Sequence, residues 1–314
     1  MALDSAELWR RRLENLLWAG LLLGALAALA GLLGYLMAGW IGVLWTTALA
    51  VGAALAMARV PAQLVLRQAG AVPLAYAQAP RLYEILATLA QRAGLDTVPT
   101  LHYVPEAQLN AFAVGDSARG GIAVTGGLLQ LLGLRETAAV LAHELSHLRH
   151  GDTRVLALAA MLTQAIVYLA LLAQLAVLAS LPWLLSAGGP SVGLLPLLLI
   201  VLAPTIAILL QLALSRAREY AADLEAVALT GDPDSLGRAL RLLQERNSAW
   251  LASIFGRRSS HGLPPWLSTH PPIEERLRRL EQLQRPRHPP VVGHGPRRDP
   301  AGAWIEVPVR GRRR

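Results

Sequence analysis

A mainly α-helical membrane protein is the fold class this sequence predicts: four transmembrane helices and a cytosolic α+β domain holding a small β-sheet. Three observations carry the prediction. The 314 residues are 54% hydrophobic and only 16% charged, with a mean hydropathy of +0.41. No charged residue occurs in 15–58 or in 155–215. Uncharged apolar runs of that length supply several spans, since each needs about 20 residues. Outside the two runs, charge and helical periodicity return, as a water-facing domain requires.

In chain order, 1–14 is a cytosolic N-terminus and 15–58 a transmembrane hairpin. Its spans are expected at 15–36 and 41–58, with a turn near Gly39-Trp40. Arg10, Arg11 and Arg12 would suit the start of a signal peptide, but the apolar run far outlasts an h-region of about 7–15 residues. The turn is uncharged while Arg59 and Arg67 follow the second span, which places both ends of the hairpin in the cytosol. Residues 59–154 read as the first part of a soluble domain. Leu82, Ile85, Leu86 and Leu89 recur at helical spacing after Pro80, and Gly94 is a stop signal. Strand character follows at 100–104, 110–114 and 121–125, with 115–120 as a hairpin turn. A short helix is expected at 128–132, and a longer one at 135–150.

The second hairpin, 155–215, divides at a Pro-, Gly- and Ser-rich centre into spans at 161–181 and 193–214. A pair of soluble core helices would show a polar stripe, and these runs show none. Residues 216–285 form the second part of the soluble domain. Leu236, Leu240 and Leu243 mark a helix opened by Asp232-Pro233-Asp234, 248–269 reads as a long loop, and Ile273, Leu277, Leu280 and Leu283 mark a last amphipathic helix. Residues 286–314 are Arg- and Pro-rich and expected to be disordered. All basic residues are arginine, and the net charge of +8 gathers towards the C-terminus. With no cysteine, disulfides, thiolate ligands and a cysteine nucleophile are excluded.

The chemistry centres on His143-Glu144-Leu145-Ser146-His147. Residues four apart on a helix lie about 40° apart around the axis, so His143 and His147 project from one face. Two imidazoles so placed can hold one Zn2+, and Glu144 beside them can take a proton from water. A catalytic zinc usually has three protein ligands. The metzincin pattern needs Gly three and His six residues beyond His147, where this chain has His150 and Thr153. A glutamate from a later helix is the alternative, which makes the domain gluzincin-like.

Glu219 is the best candidate, with Asp223 four residues on, where a carboxylate can accept the free ring N–H of a zinc-bound histidine. Taken alone, the pair reads equally well as a solvated helix face. Topology favours the ligand reading: two spans separate the histidines from Glu219, which returns the chain to the same side. Arg216 and Arg218 read as topology determinants.

These residues carry a family resemblance. The chain resembles the HtpX-type zinc metallopeptidases, relatives of the type I CAAX prenyl proteases. The matching residues are His143 to His147 with Gly151-Asp152, Ser215 to Asp223, Asn110-Ala111-Phe112-Ala113 with Gly115, and His270-Pro271-Pro272. The resemblance covers roughly 15–285. It implies one Zn2+ per subunit on His143, His147 and Glu219, with Glu144 as catalytic base. It further implies cleavage of membrane or misfolded proteins, a quality-control role, at the cytosolic face of a bacterial inner membrane with both termini cytosolic. The expected partners are protein substrates and the lipid bilayer, not nucleic acid.

Asn110 is expected either to contact substrate along an edge strand or to serve as a turn residue before it. His270 is expected either to stabilise an oxyanion or to shape the turn before the last helix. A membrane scaffold with a structural zinc site is the competing class. It would not need a carboxylate beside the metal.

Overall fold

The computed structural model describes residues 5–184, 186, 193–254, 273–281 and 290–292. They form two compact units, one from Trp9–Val60 with Arg154–Ala217 and the other from Met1–Leu8, Pro61–Thr153 and Arg218–Arg314.

The apolar unit contains most of three helices: α1 (Ser5–Arg59), α6 (Asp152–Leu184) and α7 (Leu194–Thr230). Among the described residues these three, rather than the four expected, are long and apolar enough to cross a membrane. The difference lies within α1. Its apolar stretch Leu16–Ala56 has 41 residues, which laid straight would run about 60 Å, twice a hydrocarbon core of about 30 Å. Helical geometry fails only at Ala38 (φ −145°, ψ 24°) and Gly39 (φ 59°, ψ −144°). Beyond them the chain folds back, because a Cβ on Gly42 would sit 1.8 Å from the Gly34 carbonyl oxygen. On a straight helix eight residues would separate the two by about 12 Å. The reversal occupies two residues, too few to divide the helix into two by composition.

Inside this unit Leu26, Leu33, Ile166, Ala170, Ala203 and Ala207 are buried together. Leu44, Trp45, Leu172 and Leu195 stay exposed, as side chains facing lipid would. One polar bond crosses from α6 to α7: Gln174 donates to the Ile200 carbonyl at 3.1 Å. That carbonyl would normally accept from the residue four on, which is Pro204 and has no N–H. Gln174 replaces the missing donor.

The polar unit is built on a four-stranded mixed sheet in the order β1-β2-β4-β3. The strands are β1 (Val72–Pro73), β2 (Thr100–Val104), β3 (Ala111–Val114) and β4 (Gly121–Thr125). β2 and β4 run parallel, and the other pairs are antiparallel. The two-residue β1 has too little pattern to be seen in sequence. In the β3–β4 turn, Asp116 accepts N–H bonds from Ala118 and Arg119 at 3.1 and 2.9 Å.

Helix α2 (Ala62–Gln68) packs Ala62 and Leu66 on Val104, Phe112 and Ala123. The larger core takes Leu82, Ile85, Leu86 and Leu89 from α3 (Pro80–Ala93), and Leu128 from the short α4 (Gly126–Leu131). It also takes Leu141, Leu145 and Leu148 from α5 (Leu134–His150). Position 145 is about 160° around the axis from 143, so burying Leu145 in the core turns His143 the other way.

Helix α8 (Pro233–Ile254) runs on through 248–254, where a loop was expected. Asp232 caps it, accepting the Ser235 N–H at 3.1 Å and an Arg135 Nε–H at 2.8 Å. The last helix, α9 (Ile273–Glu281), packs Leu277 and Leu280 on the larger core as expected, and Leu283 lies outside the described residues. Val291 and Val292, within the segment expected to be disordered, pack on the larger core, and the Val291 N–H donates to Thr230 O at 3.1 Å.

Candidate metal centre

Helix α5 presents His143 and His147 from one face, and α7 presents Glu219 to them. All three are buried, at 5%, 8% and 3% exposure. Their ligand atoms lie within 4.8 Å of one another. Nε2 of His143 and Nε2 of His147 are 3.1 Å apart, and the two nitrogens lie 3.4 and 3.7 Å from the Glu219 oxygens. Zinc bonds of 2.0–2.1 Å in tetrahedral array would separate ligand atoms by about 3.3 Å. The spacing suits a single ion.

Charge makes the same case. Four buried carboxylates, Glu144, Asp152, Glu219 and Asp223, share this region with two buried guanidiniums, Arg218 and Arg276. With both imidazoles neutral, two negative charges are left over. A buried charge without a partner is costly, and a divalent cation on two neutral imidazoles cancels the excess.

Each histidine has its own aspartate on the far side of the ring. Nδ1 of His143 lies 3.1 Å from Oδ1 of Asp223, and Nδ1 of His147 lies 2.8 Å from Oδ2 of Asp152. Burial by itself lowers the His143 pKa, but Asp223 and Glu219 more than offset this and raise it to about 10. A metal would have to displace that proton.

Each aspartate in turn has its own arginine. Arg276 grips Asp223 with Nε and a terminal nitrogen at 2.7 and 2.6 Å and reaches Glu219 at 3.0 Å. Arg218 pairs with Asp152. Asp223 and Glu219, with Glu144 close by, outweigh the effect of burial and push the Arg276 pKa up.

The structure thus brings together His143, His147, Glu219 and Asp223, with Glu144 buried beside His143 on α5. Asn110 lies just ahead of β3, where its backbone N–H donates to the Thr125 hydroxyl at 3.0 Å. His270 lies outside the described residues. Arg276 escaped the sequence reading, since nothing in its spacing ties α9 to residue 223. Asp152 and Arg218 were in view only as a motif match and as a topology signal. His150 takes a bracing position, with Nδ1 at 2.9 Å from Ser146 O and 3.2 Å from Glu225. Ser146 and Arg149 also bond Glu225, so it ties α5 to α7 away from the metal ligands.

The profile of peptidase family M48 matches residues 76–284, two thirds of the chain and every residue of this cluster. The chain belongs to peptidase family M48. Among curated M48 relatives, the "Protease HtpX homolog" of Acidiphilium cryptum (strain JF-5) is 39% identical over 302 residues, 86% of this chain and 97% of the relative. A protein of the same description from Syntrophotalea carbinolica is 40% identical over 214 residues, 64% of this chain and 76% of the relative. The crystal structure of S. mikatae Ste24p shows a slighter likeness, with a TM-score of 0.45 and 21% identity over 88% of this chain and 67% of that one. This M48 chain is therefore a membrane metallopeptidase of HtpX type, a hydrolase, and the scaffold alternative gives way to it.

Proposed function

We propose that the chain is a zinc endopeptidase holding one Zn2+ per subunit on His143, His147 and Glu219. The observation that carries this reading is the spacing of those three donor sets at 3.1, 3.4 and 3.7 Å. A zinc ion bound there would supply Lewis acidity, lowering the pKa of water and polarising the scissile carbonyl. Glu144 takes the proton from the attacking water and returns it to the leaving amine. Asp223 orients His143 through its outer nitrogen. Asn110 contacts substrate at the start of β3.

The substrates are membrane or misfolded proteins, cleaved at the cytosolic face of a bacterial inner membrane in a quality-control role. The reversal at Ala38-Gly39 supports two crossings in α1, and so four in all. On this reading 15–58 and 155–215 are the transmembrane hairpins. Residues 59–154 and 216–285 are the two parts of the catalytic domain, between a cytosolic 1–14 and an Arg- and Pro-rich 286–314.

The test is Glu144→Gln in purified protein, assayed on casein and on a membrane-protein substrate. Cleavage should vanish while bound zinc persists. Full activity in that variant refutes the mechanism.

A further inference from the structure

We propose that Asp152 and Arg218 are positioning residues for His147. Arg218 holds the Asp152 carboxylate, and Asp152 holds the outer ring nitrogen of His147 so that Nε2 faces the metal position. The proposal deepens the zinc reading and rests on it.

The backbone explains how Asp152 reaches the ring. Were α5 to continue through residue 152, that side chain would lie about 140° around the axis from His147 and more than a turn further along. Helix α5 ends instead at Gly151, in left-handed conformation (φ 65°, ψ 28°), whose N–H closes the last turn. Helix α6 starts at once with Asp152. The chain turns there, and Oδ2 comes back to 2.8 Å from Nδ1 of His147. A carboxylate at that distance fixes the tautomer with the proton on Nδ1, leaves the Nε2 lone pair free for metal, and raises the basicity of the ring.

Arg218 keeps that carboxylate usable. Asp152 is only 2% exposed, and a carboxylate so buried is costly without a charged, hydrogen-bonding partner. Arg218, itself 4% exposed, pairs with it from α7, one residue before Glu219. The arrangement matches the one on the other histidine, where Arg276 holds Asp223 and Asp223 faces Nδ1 of His143. The two sets come from different parts of the chain: Asp152 opens α6 and Arg218 sits within α7, whereas Arg276 arrives on α9.

The test is zinc affinity of the full-length protein in detergent, by competition with a chromophoric chelator, beside the absorption spectrum of the cobalt(II)-loaded form. Asp152→Asn keeps the volume and loses the charge. It should weaken zinc binding about 10- to 100-fold and shift the cobalt bands. Arg218→Lys, which keeps charge but not the planar fork, should weaken it in the same direction by less. Melting of the metal-free forms separates the readouts, because a merely structural role lowers that temperature and leaves affinity and spectrum alone. Wild-type affinity and spectrum in Asp152→Asn overturn the proposal while the zinc reading stands. Absence of zinc binding by the wild type overturns both.

Discussion

Nδ1 of His147 lies 2.8 Å from Oδ2 of Asp152, five residues along a chain that would carry them apart if it stayed helical. The left-handed turn at Gly151 closes the gap. The same economy recurs in α1, where two non-helical residues at 38–39 turn the chain back on itself. In both places a change of backbone conformation one or two residues long decides what the longer helices can bring together.

The close approach of Gly34 and Gly42 gives a first prediction. A methyl on Gly42 would meet the Gly34 backbone at 1.8 Å, whereas Gly24 and Gly31 have nothing within 4 Å of that position. Gly42→Ala should destabilise the protein by more than about 1 kcal/mol, the scale of overpacking. Gly31→Ala should be neutral or slightly stabilising, since alanine is the better helix former. Thermal unfolding in detergent compares them.

Gln174 and Pro204 should be energetically coupled through the Ile200 carbonyl. Gln174→Leu leaves that oxygen without the side-chain donor and should cost roughly 0.5–2 kcal/mol, the range for hydrogen bonds between membrane helices. Pro204→Ala restores an N–H four residues on, so in that background the cost of Gln174→Leu should shrink towards zero. A double-mutant cycle on unfolding free energy reads the difference.

Arg276 neutralises two buried carboxylates, Asp223 and Glu219. Arg276→Ala leaves them without that partner and should cost about 3–5 kcal/mol, the range for breaking a buried ion pair. Added zinc should recover part of the loss, because the ion supplies positive charge to the same group. Melting with and without zinc checks both statements.

Asp232 gives the pH dependence. Burial raises its pKa, but bonds from Ser235 and Arg135 outweigh that and hold it below the usual carboxylate value. A carboxylate with a depressed folded-state pKa stabilises above its unfolded value of about 3.9, and that contribution fades as pH falls through the folded value. Asp232→Ala should therefore cost about 1–2 kcal/mol near neutral pH, the scale of a lost helix cap. The gap to wild type should narrow below about pH 4. Unfolding followed by circular dichroism across that range measures it.

Local features were legible in the sequence. The spacing of His143 and His147 shows on α5 alone, and the apolar positions of α3 and α9 show by periodicity. The apolar runs marked the membrane-crossing lengths, and the turn expected near Gly39-Trp40 falls where α1 breaks, at Ala38-Gly39. What stayed hidden depends on distant chain segments meeting. Arg276 reaches Asp223 across 53 residues, and Arg218 was read for its charge beside a span rather than for a buried partner. Val291 docks on Thr230 from a segment whose composition pointed to disorder. Two valines in a proline- and arginine-rich stretch are too few to register as a core.

The central claim is that His143, His147 and Glu219 hold one zinc ion. X-ray absorption at the zinc edge on the purified chain tests it most directly, with Glu219→Ala alongside. Wild type should carry one zinc with two imidazoles and carboxylate oxygen at about 2.0–2.2 Å, and Glu219→Ala should lose the carboxylate and most of the affinity. A wild-type spectrum without imidazole scattering, or one that Glu219→Ala leaves unchanged, contradicts it.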